Sequence, residues 1–207
     1  MPVTETMKQA GAVATGRRAQ ATNLNLPNLL TLTRILLIPV FILLFSTPSP
    51  KRALAAAVVF AVAALTDFLD GYLARRQSQV TKLGRLLDPI ADKLLVVSGL
   101  ILLVQFQRVA GLLAILIIAR EVAVTGLRAV AASEGLVLSA DPIGKYKMTA
   151  QVIAIIILIL EDGLLPGHWP LHEGGTVLLY VALALSLVSG TRYLWTVWHQ
   201  VTTIKNI

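Results

Sequence analysis

The sequence has no cysteine and few charged residues. Asp, Glu, Lys and Arg make up only 14% of its 207 residues, whereas 56% are apolar. The absence of cysteine excludes disulfides, thiolate nucleophiles and Cys-ligated metal sites, although nothing follows about the redox compartment. Ordinary soluble domains carry about 25% charged residues. The composition therefore predicts an integral membrane protein.

Acidic residues are scarcer than basic ones. Asp and Glu number 11 against 18 Lys and Arg, which gives a formal net charge of +7. In a chain this apolar, few basic residues remain to follow a nucleic-acid backbone, so no nucleic-acid partner is expected. The excess of positive charge instead predicts contact with membrane lipids or an anionic substrate.

The apolar stretches divide the chain into a tail and one domain. Residues 1–23 are polar, lack the apolar core of a signal peptide and are predicted to form a flexible cytoplasmic tail. Residues 24–207 are predicted to form an all-α membrane domain with six transmembrane helices, since each crossing needs about 20 apolar residues. The predicted helical stretches are 28–47, 53–75, 86–107, 109–132, 146–163 and 174–198.

The distribution of Lys and Arg predicts the orientation of these helices. One side carries most of the basic residues: Arg75, Arg76, Lys82, Arg85, Arg128, Lys145, Lys147, Arg192 and Lys205. The other side has only Lys51, Arg52 and Arg108. By the positive-inside rule, the basic side and both termini are predicted to be cytoplasmic.

Four aspartates are notable because charged residues inside apolar helices are costly and usually functional. Asp67 and Asp70 are three residues apart near the end of the second stretch, and Asp88 and Asp92 are four apart at the start of the third. Each spacing places its pair on one helix face, and the short connection predicts that the two pairs face each other. Carboxylates so close together need a cation, and all-oxygen ligands favour Mg²⁺, Mn²⁺ or Ca²⁺ over zinc.

Two other interpretations of the aspartates stay open at this point. They could form buried ion pairs with the cations nearby in the sequence, which are Arg75, Arg76, Arg85 and Lys93. A divalent-cation transporter would also need membrane carboxylates, although more naturally near mid-bilayer on broken helices. Gly71 and Ala74 leave room for a base or a pyrophosphate beside the acids, but they also suit tight helix packing.

Together these residues resemble the signature of the CDP-alcohol phosphatidyltransferase family. The motif reads Asp67-x-x-Asp70-Gly71-x-x-Ala74-Arg75, eight residues, Gly84, three residues, Asp88, three residues, Asp92. The resemblance extends over about residues 25–200. It implies the six-helix membrane fold of that family.

The resemblance also implies roles for these residues. Asp67, Asp70 and Asp88 would hold one or two divalent ions, Mg²⁺ or Mn²⁺, that bridge the pyrophosphate of CDP-diacylglycerol. Asp92 would be the general base and a further metal ligand. Residues expected to contact the CDP-lipid are Asn28, Thr31, Gly71, Ala74, Arg75, Thr81 and Gly84. Helix capping or snorkelling explains Asn28, Thr31 and Arg34 equally well.

Three further segments resemble the branch of the family that uses sn-glycerol 3-phosphate. They are Pro27-Asn28-Leu29-Leu30-Thr31-x-x-Arg34, Arg120-Glu121-x-x-x-x-Gly126-Leu127-Arg128 and Gly144-Lys145-x-Lys147-x-x-x-Gln151. Arg120 and Arg128 share a helix face, and Lys145 and Lys147 begin the next helix on the same membrane side. These four cations are predicted to bind the acceptor phosphate, although contact with lipid headgroups would also explain them, Lys147 more readily than Arg120. Glu121 is expected to pair with one of them.

The resemblance thus implies a phosphatidyltransferase, and the distribution of Lys and Arg predicts that its active site lies at the cytoplasmic face of the cell membrane. It would transfer the phosphatidyl group of CDP-diacylglycerol to glycerol 3-phosphate and release CMP. Inositol phosphate, serine and phosphatidylglycerol are alternative acceptors. The resemblance alone implies a homodimer. The aromatic residues near the membrane surface, Trp169, Tyr193, Trp195 and Trp198, are predicted to form an aromatic belt.

Overall fold

The computed structural model describes residues 26–47, 49–77, 82–133, 142–161 and 170–205. Side chains are described over the same ranges except at 26–28, 67–77, 82–89, 142–143, 145 and 197–205. Within these ranges the chain forms six helices: α1 Leu26–Phe45, α2 Pro50–Gln77, α3 Lys82–Gln105, α4 Gly111–Ser133, α5 Pro142–Ile159 and α6 Leu171–Lys205. The all-α prediction is confirmed, and each helix contains most of one predicted stretch.

The outer surface of the bundle is apolar. Leu36, Leu43, Leu112, Ile115 and Val177 are all large side chains that are more than half exposed. Soluble monomers rarely expose such side chains in contiguous patches, whereas lipid tails would cover them in a bilayer. Among the described residues, one stretch is both long and apolar enough to cross a membrane, Leu171–Thr196 of α6. The apolar stretches Leu29–Phe45 and Tyr146–Ile159 are shorter.

Aromatic rings and a glycine let the central helices pack closely. The ring of Phe41 lies 5.9 Å from that of Phe45 and 5.2 Å from that of Phe60, measured between centroids. A Cβ atom at Gly99 would lie 3.0 Å from the Phe60 ring and 3.2 Å from Ile155, so a larger residue would require these side chains to move. Between helices in lipid, such close van der Waals packing is a main stabilising contribution.

A buried arginine joins helices at one end of the bundle. Arg108 lies between α3 and α4, and its Nη1 donates hydrogen bonds to the carbonyl oxygens of Leu158 and Ile159 at 2.8 and 2.9 Å. These carbonyls end α5, where the last carbonyl oxygens of a helix have no N–H donors of their own and where a cation is favourable. The ends of α3 and α5 therefore meet here. Asp92, near the middle of α3, and Lys147, in the first part of α5, lie further towards the opposite end.

Candidate active site

The aspartates of the predicted metal site belong to α2 and α3. Asp67 and Asp70 lie in α2, whereas Asp88 and Asp92 lie in α3, so each pair keeps the helical spacing expected from the sequence. Only Asp92 has a described side chain. In the part of the chain that the structure describes, no three His, Asp or Glu side chains are grouped closely enough to hold a metal ion. The metal site therefore stays a prediction.

Most residues predicted to contact the CDP-lipid also lie outside the described side chains. These are Asn28, Gly71, Ala74, Arg75 and Gly84, together with Thr81, whose backbone is likewise outside the described ranges. Lys145, predicted to bind the acceptor, belongs to α5 but its side chain is not among those described. The roles of these residues stay predictions.

Thr31 and Arg34 are buried on the inner face of α1. Thr31 is 1% exposed and Arg34 is fully buried. The Arg34 Nε donates a hydrogen bond of 3.4 Å to the carbonyl oxygen of Ala63, four residues before Asp67 in α2. Snorkelling is therefore the wrong explanation for Arg34, because its charged group does not reach the surface. Instead, Arg34 links α1 to α2 close to the acidic motif.

A cavity of about 200 Å³ lies between α3, α4, α5 and α6. Three of the four cations predicted to bind the acceptor line it, namely Arg120 and Arg128 from α4 and Lys147 from α5. Asp92 lines it from α3. Further polar side chains in its wall are Lys93, Glu121, Thr125, Gln151, Ser189 and Tyr193. The structure therefore brings the proposed base and the predicted phosphate-binding cations to one place.

Glu121 connects two of these cations. Its Oε1 accepts a hydrogen bond of 3.2 Å from Arg120 Nη1 and another from Lys147 Nζ. Both cationic side chains are nine-tenths buried, and a buried cation without a counter-ion would be strongly destabilising. Glu121 thus permits their burial and restricts where they point. The pairing expected of Glu121 is found, with two cations rather than one.

One donor in this network has no partner in the described part of the chain. The Nε atom of Arg120 is buried and has no hydrogen-bond partner among the described residues. Buried polar groups are nearly always satisfied. Arg120 Nε is an exception within this network, and it lies close to the backbone of α6 at Gly190.

Tyr193 belongs to the cavity and not to an aromatic belt. It is 8% exposed, and its hydroxyl oxygen accepts a hydrogen bond from Arg128 Nη2. The Arg128 guanidinium carbon lies 4.7 Å from the centroid of the same ring. The belt prediction is therefore wrong for Tyr193. Trp195, 71% exposed, faces outward as a belt residue would.

The cavity wall contributed by α6 was not predicted from the sequence. Ser189 and Tyr193 line the cavity, and a Cβ at Gly190 would lie 3.4 Å from Arg120 Nε, which places the α6 backbone against that guanidinium. The signal was present in the sequence. Ser186, Ser189, Gly190 and Tyr193 recur at intervals of three and four in an otherwise apolar helix, so they share one face.

Comparison with known proteins points to one family. A family model described as CDP-alcohol phosphatidyltransferase matches residues 24–199. The chain is 42% identical over 191 residues to CDP-diacylglycerol–glycerol-3-phosphate 3-phosphatidyltransferase of Bacillus subtilis (strain 168), covering 86% of this chain and 98% of that protein. Proteins of the same name from Escherichia coli (strain K12) and Rickettsia bellii (strain RML369-C) are 41% and 40% identical, each over 82% of this chain and 93% of the relative.

Proposed function

The chain belongs to the CDP-alcohol phosphatidyltransferase family, and we propose that it transfers the phosphatidyl group of CDP-diacylglycerol to sn-glycerol 3-phosphate. The products would be phosphatidylglycerol phosphate and CMP. The names of the relatives supply both substrates. The choice of acceptor is supported by the cavity, where Arg120, Arg128 and Lys147 converge beside Asp92.

The charge of the cavity suits a phosphate group. Its described lining includes four cationic side chains and two acidic ones: Lys93, Arg120, Arg128 and Lys147 against Asp92 and Glu121. The positive excess would attract an anionic acceptor, and forked guanidinium groups match phosphate oxygens in geometry. Free glycerol has no charge to balance this excess. The cavity therefore favours a phosphorylated alcohol over a neutral one.

Asp92 is the group best placed to activate that alcohol. Its side chain is 31% exposed and lines the same cavity as the three cations. With the acceptor phosphate bound by Arg120 and Arg128, a hydroxyl at the other end of the acceptor can reach towards α3. Asp92 would accept the hydroxyl proton. The hydroxyl oxygen then forms a bond to the phosphorus of the phosphatidyl group as the bond from that phosphorus to CMP breaks.

The donor set of the acidic motif fits a hard divalent cation. Its four members offer only carboxylate oxygens, which Mg²⁺ and Mn²⁺ prefer, and the partial exposure of Asp92 leaves its carboxylate accessible. We propose that one or two such ions are held by Asp67, Asp70, Asp88 and Asp92. When bound, they would neutralise the pyrophosphate and stabilise the leaving CMP. The CDP-lipid itself would be held by Asn28, Thr31, Gly71, Ala74, Arg75, Thr81 and Gly84.

The proposed site lies at the cytoplasmic face of the cell membrane. Its residues come from the middle of α3, the middle and last part of α4, the first part of α5 and the second half of α6, away from the end that Arg108 joins. This is the side that carries most Lys and Arg in the sequence, which supports six crossings with both termini cytoplasmic. The lipid substrate would enter from the bilayer and glycerol 3-phosphate from the cytoplasm. A homodimer is proposed from the family resemblance alone.

A panel of acceptors tests this function. Purified protein in detergent, with CDP-diacylglycerol and Mg²⁺, would be given glycerol 3-phosphate, inositol phosphate, serine or phosphatidylglycerol in turn. Mass spectrometry would then identify the lipid product. We expect phosphatidylglycerol phosphate, formed with the highest kcat/KM of the panel. A higher kcat/KM for another acceptor would overturn the acceptor assignment, and metal flux into liposomes without any transfer would favour a transporter.

A further inference from the structure

The position of Arg128 depends on a residue from another helix. Arg128 lies late in α4 and Tyr193 lies late in α6, 65 residues further along the chain. The Nη2 atom of the guanidinium donates to the tyrosine hydroxyl, while its central carbon lies over the aromatic ring. The two contacts use different parts of the same side chain, so they restrict both its direction and its rotation.

This restriction matters because arginine is long and flexible. A free arginine side chain loses about 2 kcal/mol of rotamer entropy when it is fixed, and a ligand that must fix it binds more weakly by part of that amount. Arg128 is an exposed residue that contributes to the cavity wall, so burial alone does not fix the direction of its side chain. The buried ring of Tyr193 does.

We infer that Tyr193 is a positioning residue that holds the Arg128 guanidinium ready for the acceptor phosphate. The inference rests on the proposed function, since it assumes that Arg128 binds that phosphate. Tyr193 acts through Arg128 and not by contact with the reacting atoms. Loss of its hydroxyl should therefore weaken acceptor binding while leaving CDP-lipid binding and the chemical step nearly unchanged.

A graded set of substitutions tests this role. Tyr193→Phe keeps the ring but removes the hydrogen bond, and it should raise the KM for glycerol 3-phosphate by about fivefold. Tyr193→Leu removes the ring as well and should raise that KM further, towards the value of Arg128→Ala. The KM for CDP-diacylglycerol should stay constant in both. Tyr180→Phe is the matched control, because Tyr180 lies on the same helix, is 53% exposed and does not line the cavity.

A double-mutant cycle distinguishes positioning from direct contact. If Tyr193 acts only through Arg128, adding Tyr193→Phe to Arg128→Ala should not raise the acceptor KM any further. A further rise would mean that Tyr193 contacts the acceptor itself and would overturn the inference. So would an unchanged acceptor KM in Tyr193→Phe alone. If Arg128→Ala leaves the acceptor KM unchanged, the proposed phosphate site fails first, and the inference fails with it.

Acceptor binding can also be measured without turnover. Glycerol 3-phosphate should raise the unfolding temperature of the detergent-solubilised protein, because a ligand that binds only the folded state stabilises it. We expect a smaller rise in Tyr193→Phe than in the wild type at the same glycerol 3-phosphate concentration, with no such difference for Tyr180→Phe. Equal rises in all three proteins would contradict the positioning role even if a variant proved too inactive to assay.

Discussion

Removal of the Arg128 guanidinium should weaken acceptor binding selectively. A hydrogen bond from a charged group contributes about 1.5–3 kcal/mol. Arg128 is partly open to solvent, which screens its charge, so the low end of that range applies. Since 1.4 kcal/mol corresponds to a factor of ten, Arg128→Ala should raise the KM for glycerol 3-phosphate about tenfold. The KM for CDP-diacylglycerol should change less than about twofold, because the substitution weakens binding of the acceptor and not of the CDP-lipid.

Initial rates of CMP release in mixed micelles would measure both constants. Glycerol 3-phosphate would be varied at a fixed CDP-diacylglycerol concentration, and then the reverse. Arg192→Ala is the control, because Arg192 precedes Tyr193 on α6 but is exposed and absent from the cavity wall. Equal increases in both KM values, or an increase as large in Arg192→Ala, would refute a phosphate site at Arg128.

Three further substitutions test the general base, the metal site and the contact between Arg108 and α5. Asp92→Asn should reduce kcat by about 10²–10⁴-fold, the usual contribution of a general base, while CDP-diacylglycerol still binds. Near-normal turnover in the purified variant would exclude Asp92 as the base. Asp70→Asn should raise the Mg²⁺ concentration needed for half-maximal rate and also lower kcat, and an unchanged Mg²⁺ dependence would remove Asp70 from the metal site. Arg108→Gln should lower the unfolding temperature in detergent, because it replaces charged hydrogen bonds to two α5 carbonyls that contribute about 2 kcal/mol. Arg52→Gln is the control, because Arg52 is exposed. Equal unfolding temperatures for the two variants would contradict the capping role.

The helices were predictable because each apolar stretch is long and ends at polar, Pro or Gly residues. Their ends were less predictable. α6 extends to Lys205, beyond the apolar stretch predicted to end at 198, because a helix can continue into polar sequence past the part that lipid or protein covers. The family was predictable from the acidic motif, and the match of a family model over residues 24–199 confirms the family.

The cavity was predictable only in part. Helical spacing placed Arg120 and Arg128 on one face, and the structure places both in the cavity wall. Spacing within a helix does not reveal which other helix that face meets, so the contact with α6 was missed. Tyr193 was assigned to a belt because a tyrosine near a membrane surface usually lies there. Only the packing of α6 against α4 shows that its ring is buried beneath a guanidinium.

The role of Arg34 was also not predictable from the sequence alone. An arginine near the start of a membrane helix usually extends to the headgroups, and its sequence position gives no reason to expect otherwise. The packing of α1 against α2 buries it and directs its Nε to a backbone carbonyl. A side chain's neighbours on other helices thus decide its role, and these neighbours are not encoded in the local pattern.

The most direct test of the proposed transfer is CMP release by the purified protein in detergent with CDP-diacylglycerol. It would be measured with and without Mg²⁺ and with and without glycerol 3-phosphate. We expect release only when both are present, with one CMP formed for each phosphatidylglycerol phosphate. Release that does not require glycerol 3-phosphate, or no release under any of the four conditions, would contradict it.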